Sequence, residues 1–165
     1  MNNELYHHGV KGMKWGVRHD PQRSTAKKAY KAVRTDLNQQ SKKIYKDYSN
    51  TAKFSNSLYK KGLRVNKQAY KSGKISREDY KDYKRRNQEL RVEARQQLEQ
   101  KMLIGQYKIK KAQNANKALY YKDVYGSDSK KFKRGMNAVT RSTESYGYYT
   151  IRRNSDGSYH ITSWS

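Results

Sequence analysis

Cysteine is absent from this chain, which rules out disulfides and thiolate chemistry and leaves nothing that ties the fold to an oxidising compartment. Large aliphatic and Phe side chains are scarce: Leu, Ile, Val and Phe together make 23 of 165 residues. That is below the roughly one-fifth at which highly charged chains begin to tend toward disorder, so a large independent core is not expected. No stretch approaches the roughly 20 apolar residues that span a bilayer. The N-terminus also lacks the apolar segment of a signal peptide, so no membrane insertion and a cytoplasmic first residence are expected. The single proline, Pro21, stands where a helix would begin; its fixed φ and missing N–H suit a first turn, with Asp20 before it as N-cap. Acidic residues are few, 14 against 38 Lys and Arg.

What is abundant is positive charge and tyrosine. A formal charge of +24 with a pI near 10.1 makes polyanions the natural partners. Such a charge repels itself in a compact chain, which favours an elongated molecule or one relieved by an anionic partner. Nucleic acid ranks above lipid, because the helical stretches lack the bulky apolar face of an interfacial anchor. The 16 tyrosines supply apolar ring surface with a wettable hydroxyl, and Tyr is the expected core residue.

The pattern along the chain divides it into an extended Gly/aromatic segment (1–20), a basic helical body (21–135) and a linker with a C-terminal β-hairpin (136–165). In the body, Ala26, Tyr30, Val33, Leu37, Ile44 and Tyr48 recur at spacings of three, four and seven, one helical stripe. It continues less regularly through Phe54, Leu58, Val65 and Ala69, with Gly62 as a weak point or break. Ser72 to Ser76 reads as a loop. Ser76 with Asp79 forms a capping-box-like start, and Ile75 with Tyr80 has hydrophobic-staple spacing. A second stripe follows through Tyr80, Tyr83, Leu90, Ala94, Leu98, Met102, Ile109, Ala112 and Leu119, long enough for an antiparallel helical hairpin. Lys130 to Arg134 predict a short helix or an arm. Tyr148–Arg153 and Ser158–Trp164 flank Asn154, Ser155, Asp156 and Gly157, which predicts a hairpin around a type I turn with Gly in the left-handed position. The expected fold is thus mainly α: a long helical hairpin or coiled-coil-like body, an extended N-terminal tag and a small C-terminal β-hairpin.

The segment from Leu5 to Arg18 carries three glycines in eight residues, which disfavours a helix. Met13, Trp15 and Val17 alternate with Lys14, Gly16 and Arg18, as an extended strand with one apolar and one cationic face requires. Such a strand can dock on another protein with Met13 and Trp15 as anchors, or pack on its own domain. The run His7-His8-Gly9-Val10-Lys11-Gly12-Met13-Lys14-Trp15-Gly16-Val17-Arg18 resembles a short tag that recurs near the ends of otherwise different phage and prophage proteins of Gram-positive hosts, many of them structural or capsid-associated. The likeness covers about residues 6–18 and departs at His19, where Arg is usual. It implies a virion-associated protein whose Val10, Lys11, Met13, Lys14, Trp15, Val17 and Arg18 bind another phage protein, a capsid or portal protein among the candidates.

Beyond Gln100 there are 13 basic and four acidic residues. Lys108, Lys110, Lys111, Lys130, Lys131, Lys133 and Arg134 are the candidate contacts to nucleic acid, non-specific and salt-sensitive, against the plainer reading of a solvated helix face. Tyr107, Tyr120, Tyr121 and Tyr125 are interleaved where unpaired bases would stack. No catalytic, cofactor or metal site is expected. The acidic residues of 78–99, such as Asp82 with Arg86, read as surface ion pairs; no nucleophile elbow is present; His7, His8, His19 and His160 do not form a ligand set. Together with the resemblance, these readings imply a non-enzymatic virion-associated structural or cargo protein, in the virion or the host bacterial cytoplasm. A free nucleic-acid-binding accessory protein and an inhibitor of a host enzyme remain as alternatives, and self-association stays open.

Overall fold

The computed structural model describes residues 21–163. Two long helices, α1 (Pro21–Lys71) and α2 (Arg77–Tyr125), run antiparallel and are followed by a short α3 (Lys130–Thr140). The chain then forms a sheet of β1 (Thr143–Tyr146), β2 (Tyr149–Arg153) and β3 (Tyr159–Ser163). The mainly α hairpin with a small C-terminal β element is the expected architecture. The tag, the Asp20 cap and Trp164 lie outside the described residues.

α1 is one helix of 51 residues, about 76 Å at 1.5 Å per residue, and it passes through Gly62 without a break. It ends where Gly73 takes φ 72° and the Lys74 N–H donates to the Ala69 carbonyl at 3.0 Å. α2 starts in a complete capping box. The Ser76 hydroxyl accepts from the Asp79 N–H at 3.0 Å, and the Asp79 carboxylate accepts from the Ser76 N–H at 3.3 Å. No helix among the described residues is long and apolar enough to cross a membrane.

Leu37 of α1 and Ile109 of α2 are buried, and polar bonds cross between the two helices along most of their length. Ser41 donates to Gln106 Oε1 at 2.7 Å and Gln106 Nε2 returns a bond to the Ser41 carbonyl. Gln113 bonds Asn38, Asn116 bonds the Tyr30 carbonyl, and Arg91 bonds Asn56 and covers the Tyr59 ring. Gly105 allows a close approach: a Cβ there would stand 3.1 Å from Ile44 Cδ1. The half-buried positions of distal α1 are Ala52, Ser55, Tyr59, Gly62, Leu63, Asn66 and Ala69; without Leu63 they alternate steps of three and four, a heptad-like line in which Tyr59 is the one large side chain. The expected stripes hold at Ala26, Tyr30, Leu37, Ile44, Tyr48 and Ala69 of α1 and at Tyr80, Leu98, Met102, Ile109 and Ala112 of α2, which are buried or half-buried. They fail at Val33, Phe54, Leu58 and Val65 of α1 and Tyr83, Leu90 and Leu119 of α2, which are exposed. At 100° per residue Phe54, Leu58 and Val65 fall about a quarter-turn from the true line of contact.

The apolar core sits at the other end. Leu103, Tyr107 and the wholly buried Ile151 form its centre, ringed by Met102, Tyr146, Tyr149, Tyr159 and Ile161. Tyrosine is the dominant core side chain, as its abundance suggests. The sheet is antiparallel in the order β1-β2-β3, with Ile151 opposite Ile161 and Thr143 opposite Arg152. The β2–β3 turn is the expected one, with Gly157 at φ 85° donating to the Asn154 carbonyl. β1 is an additional strand, and α3 continues to Thr140 through the stretch read as the start of a linker. Lone hairpins are marginal in water; here the third strand and the face of α2 supply the missing cover.

Candidate functional site

The cationic surface is built where α2, α3 and the sheet converge. α3 is positioned by three local devices. The Ser129 hydroxyl caps its N-terminus, accepting from the Phe132 N–H at 3.2 Å. Gly135 lets it lie against α2, where a Cβ would approach Ala118 Cα and Cβ to 3.1 Å. Lys111 then closes the C-terminal end: its ammonium donates to the Ala138 carbonyl at 3.0 Å and to the Arg141 carbonyl, and pairs with Glu144 Oε1 at 3.1 Å. A cation at the last carbonyls of a helix satisfies groups that have no partner within the helix.

The sheet is tied to α2 by phenol hydroxyls. Tyr107 donates to the Ser142 carbonyl at 3.1 Å, Tyr146 to the Gln106 carbonyl at 2.9 Å, and Tyr149 to Glu99 Oε1 at 2.7 Å. Burial pushes the Tyr146 hydroxyl well above the usual phenol range and raises that of Tyr107, and the Glu99 bond raises that of Tyr149. Tyr125, at the far end of α2, is shifted the other way by its bonds to Lys131 and Arg23.

Three recesses surround the middle of α2. The largest, an open cleft of about 1290 Å³, lies between α2, the α3–β1 corner and the β2–β3 turn, and presents Lys108, Arg141, Arg152 and Arg153 around the rings of Tyr107 and Tyr159. Between α2 and α3 a smaller one of about 360 Å³ presents Lys117, Lys131 and Arg134 beside Tyr121. On the α1 side a third, of about 350 Å³, presents Arg34, Lys110 and Lys117 with amides of Asn38 and Gln113. Lys117 lines both smaller recesses, so the cations form a band around the proximal body. Asp156, at the rim of the large cleft, is held ionised by bonds from Ser158.

Residues 1–22 match a family of unknown function (DUF7211). The chain has no match among curated proteins or solved structures. The family match spans the Gly/aromatic segment and ends in the first turn of α1, so the cationic band lies wholly outside it.

The seven cations singled out in the sequence divide into groups. Lys108, Lys110, Lys131 and Arg134 line the recesses with exposed side chains. Lys130 and Lys133 are exposed on α3 but line none of the three. Lys111 is turned inward, and its charge is engaged by Glu144 and two carbonyls. Arg34, Arg141, Arg152 and Arg153 were not among those singled out, although Tyr30, Arg34 and Asn38 at steps of four already mark one face of α1. The seven tag residues from Val10 to Arg18 lie outside the described residues.

The tyrosines expected to stack on bases are engaged internally. Tyr107 is buried. Tyr120 stacks on Tyr30 at 5.0 Å, and the Tyr125 ring is covered by Lys131 at 4.0 Å and by Arg23 at 5.5 Å. Tyr121 is wedged between Tyr120 and Tyr125, with Lys117 5.7 Å from its ring centre. These contacts stiffen the open end of the helical hairpin, and they leave the charges rather than the rings facing outward. The arrangement suits backbone phosphates better than unstacked bases.

Proposed function

We propose that this is a non-catalytic, phage virion-associated structural or cargo protein that lays its proximal cationic band on nucleic acid and docks to another phage protein through residues 6–18. The observation that carries the nucleic-acid half is the continuous run of exposed Lys and Arg from Arg34 and Lys110 through Lys117, Lys131 and Arg134, with Lys108, Arg141, Arg152 and Arg153 beyond. Contact through phosphates is indifferent to sequence and releases counterions, which fits a protein that tolerates or covers a genome. The docking half rests on the tag resemblance and on the alternation of Met13, Trp15 and Val17 with charged or small residues.

Fluorescence anisotropy with a 30-base-pair duplex tests the first half. Log K falls linearly with log salt, with a slope of about −0.9 per phosphate contacted. Arg152→Ala with Arg153→Ala makes the slope shallower by about two, whereas Lys60→Ala, exposed on the distal arm, leaves it unchanged. Undetectable binding, or binding that ignores salt, refutes this half. Deleting residues 1–18 tests the second: incorporation into particles is lost while helical circular dichroism persists, and unchanged incorporation refutes docking. Salt-sensitive binding by a protein absent from purified particles favours a free accessory role instead.

A further inference from the structure

The distal half of the hairpin has no interior. From Asn38 to Met102, two helical arms and their loop, no residue is buried. The half-buried positions of the arms include Tyr59, Leu63, Tyr80 and Leu98, but Ala52, Ser55, Gly62, Asn66 and Asn87 between them contribute little apolar area. Other large apolar side chains of the arms are turned outward. Phe54, Leu58 and Val65 of α1 and Tyr83 and Leu90 of α2 are 45 to 64% exposed.

These five side chains share one face. The register of the arms is fixed by Arg91 over Tyr59, Asn87 beside Gly62 and Tyr80 stacked on Tyr70. Leu58 and Leu90 therefore stand at the same level, Val65 stands level with Tyr83, and Phe54 with Ala94. At 100° per residue the α1 set lies about a quarter-turn to one side of the contact line, and the α2 set lies somewhat less to the same side, because the helices run in opposite directions. Three apolar layers thus form a stripe across both arms. Val92, equally exposed, lies on the opposite side of α2.

We infer that this stripe is the interface with a second copy of the chain, giving a dimer whose distal halves form a four-helix bundle. The charge distribution selects this occupant and its orientation. From Tyr48 to Lys71, α1 carries six cations and no acid, whereas from Glu78 to Glu99 α2 carries six acids and six cations. A polyanion would find the acids of α2 in its path. A second copy placed with its two-fold axis along the hairpin sets each α1 on the α2 of the other copy. The cationic arm of one copy then lies against the mixed-charge arm of the other, and the two cationic arms are kept apart. With the loops at the same end, Leu58 of one copy meets Leu90 of the other. The three layers span about 17 Å of helix axis; with one flanking turn at each end the face is about 30 Å long and two helices wide, roughly 600 Å² per copy, or about 1,200 Å² in all, the lower bound of a stable interface. The inference does not depend on what the proximal band contacts.

Sedimentation equilibrium of the full chain in 0.5 M salt, where the net charge is screened, tests it. The wild type sediments at twice the 19.5 kDa chain mass. Leu58→Glu with Leu90→Glu raises the dissociation constant on the order of 100-fold and keeps the helical circular dichroism, because the changed side chains are exposed in the single chain. Val92→Glu, on the opposite face, leaves the dimer intact. A wild-type monomer at 100 μM, a dimer indifferent to Leu58→Glu with Leu90→Glu, or a dimer abolished by removing residues 1–18 instead would each overturn the inference. Should the double variant lose helicity, a spin label on Leu58→Cys decides: broadening between copies supports the interface, and its absence rejects it.

Discussion

Replacing Lys111 by Met removes an ammonium that serves three acceptors at once and leaves the aliphatic stem nearly unchanged. Lys111 and Glu144 side chains are only 17% and 13% exposed, so water can replace little of what is lost. Two effects add. The Ala138 and Arg141 carbonyls at the end of α3 lose a charged donor, and Glu144 keeps a carboxylate in a place built for a pair. Breaking one side of a buried pair costs 3–5 kcal/mol, and with this residual exposure the lower end, about 3 kcal/mol, applies. At about 1.4 kcal/mol per tenfold, amides of the sheet, Ile151 above all, exchange with solvent on the order of 100-fold faster. Native-state hydrogen exchange read by NMR is the assay, since it separates the sheet and α3 from the long hairpin. Glu144→Leu alone is costly too, but combining it with Lys111→Met costs less than the sum, with a coupling of about 2 kcal/mol. Exchange at Ile151 accelerated less than fivefold by Lys111→Met, or strict additivity of the two changes, would refute the role given to this pair.

Tyr146 holds its proton tightly in the fold, chiefly because it is buried, relative to an ordinary phenol value of 10.0. A raised folded value stabilises the protein below the unfolded pKa and is lost as pH rises through and beyond it, so stability should fall above about pH 10. Tyrosinate absorbance then appears together with loss of structure, and Tyr146→Phe weakens that pH dependence. Separate early ionisation of all the tyrosines in a folded chain would contradict this. Gly62→Ala should stabilise by about 0.5–1 kcal/mol, since the added methyl meets Asn87 at an ordinary 3.6 Å. Gly135→Val should destabilise by about 1–3 kcal/mol, because its Cβ meets Ala118 backbone at 3.1 Å; thermal melting distinguishes the two. Ser76→Ala should cost about 1 kcal/mol through loss of the capping box, detectable as a lower urea midpoint.

Features decided by local chemistry were legible in the sequence. Ser76 with Asp79, and Asn154 to Gly157, each specify their geometry within four residues, and both turns are found there. The Asp82–Arg86 ion pair, at 2.8 Å, follows from helical spacing in the same way. Apolar periodicity locates the proximal contact, at Tyr30, Leu37, Ile44 and Ile109, and fails in the distal arms. There the contact draws on Ser55, Gly62, Asn66 and Asn87, while Phe54, Leu58 and Leu90 obey a second period on an outer face. β1 escaped notice because Thr143, Glu144, Ser145 and Tyr146 are too short and polar a run to announce a strand. Lys111 counted as a surface charge because its partner Glu144 is 33 positions away, a relation that only packing creates. The arginines of the large cleft were overlooked for the same reason: Arg141 and Arg152 reach one rim only after α3 and the sheet have folded onto α2.

The uninterrupted 51-residue α1 gives the hairpin the dimensions of a spacer rod. The loop at Gly73 stands about 45 Å along the axis from the level where Ile44 meets Gly105, so whatever is held at one end is kept at a fixed standoff from the other. That distance is adjustable in steps. Removing seven residues from each arm at matching levels shortens the rod by about 10 Å while returning every remaining side chain to nearly its original bearing, so reach can be altered with little change to the surfaces it separates.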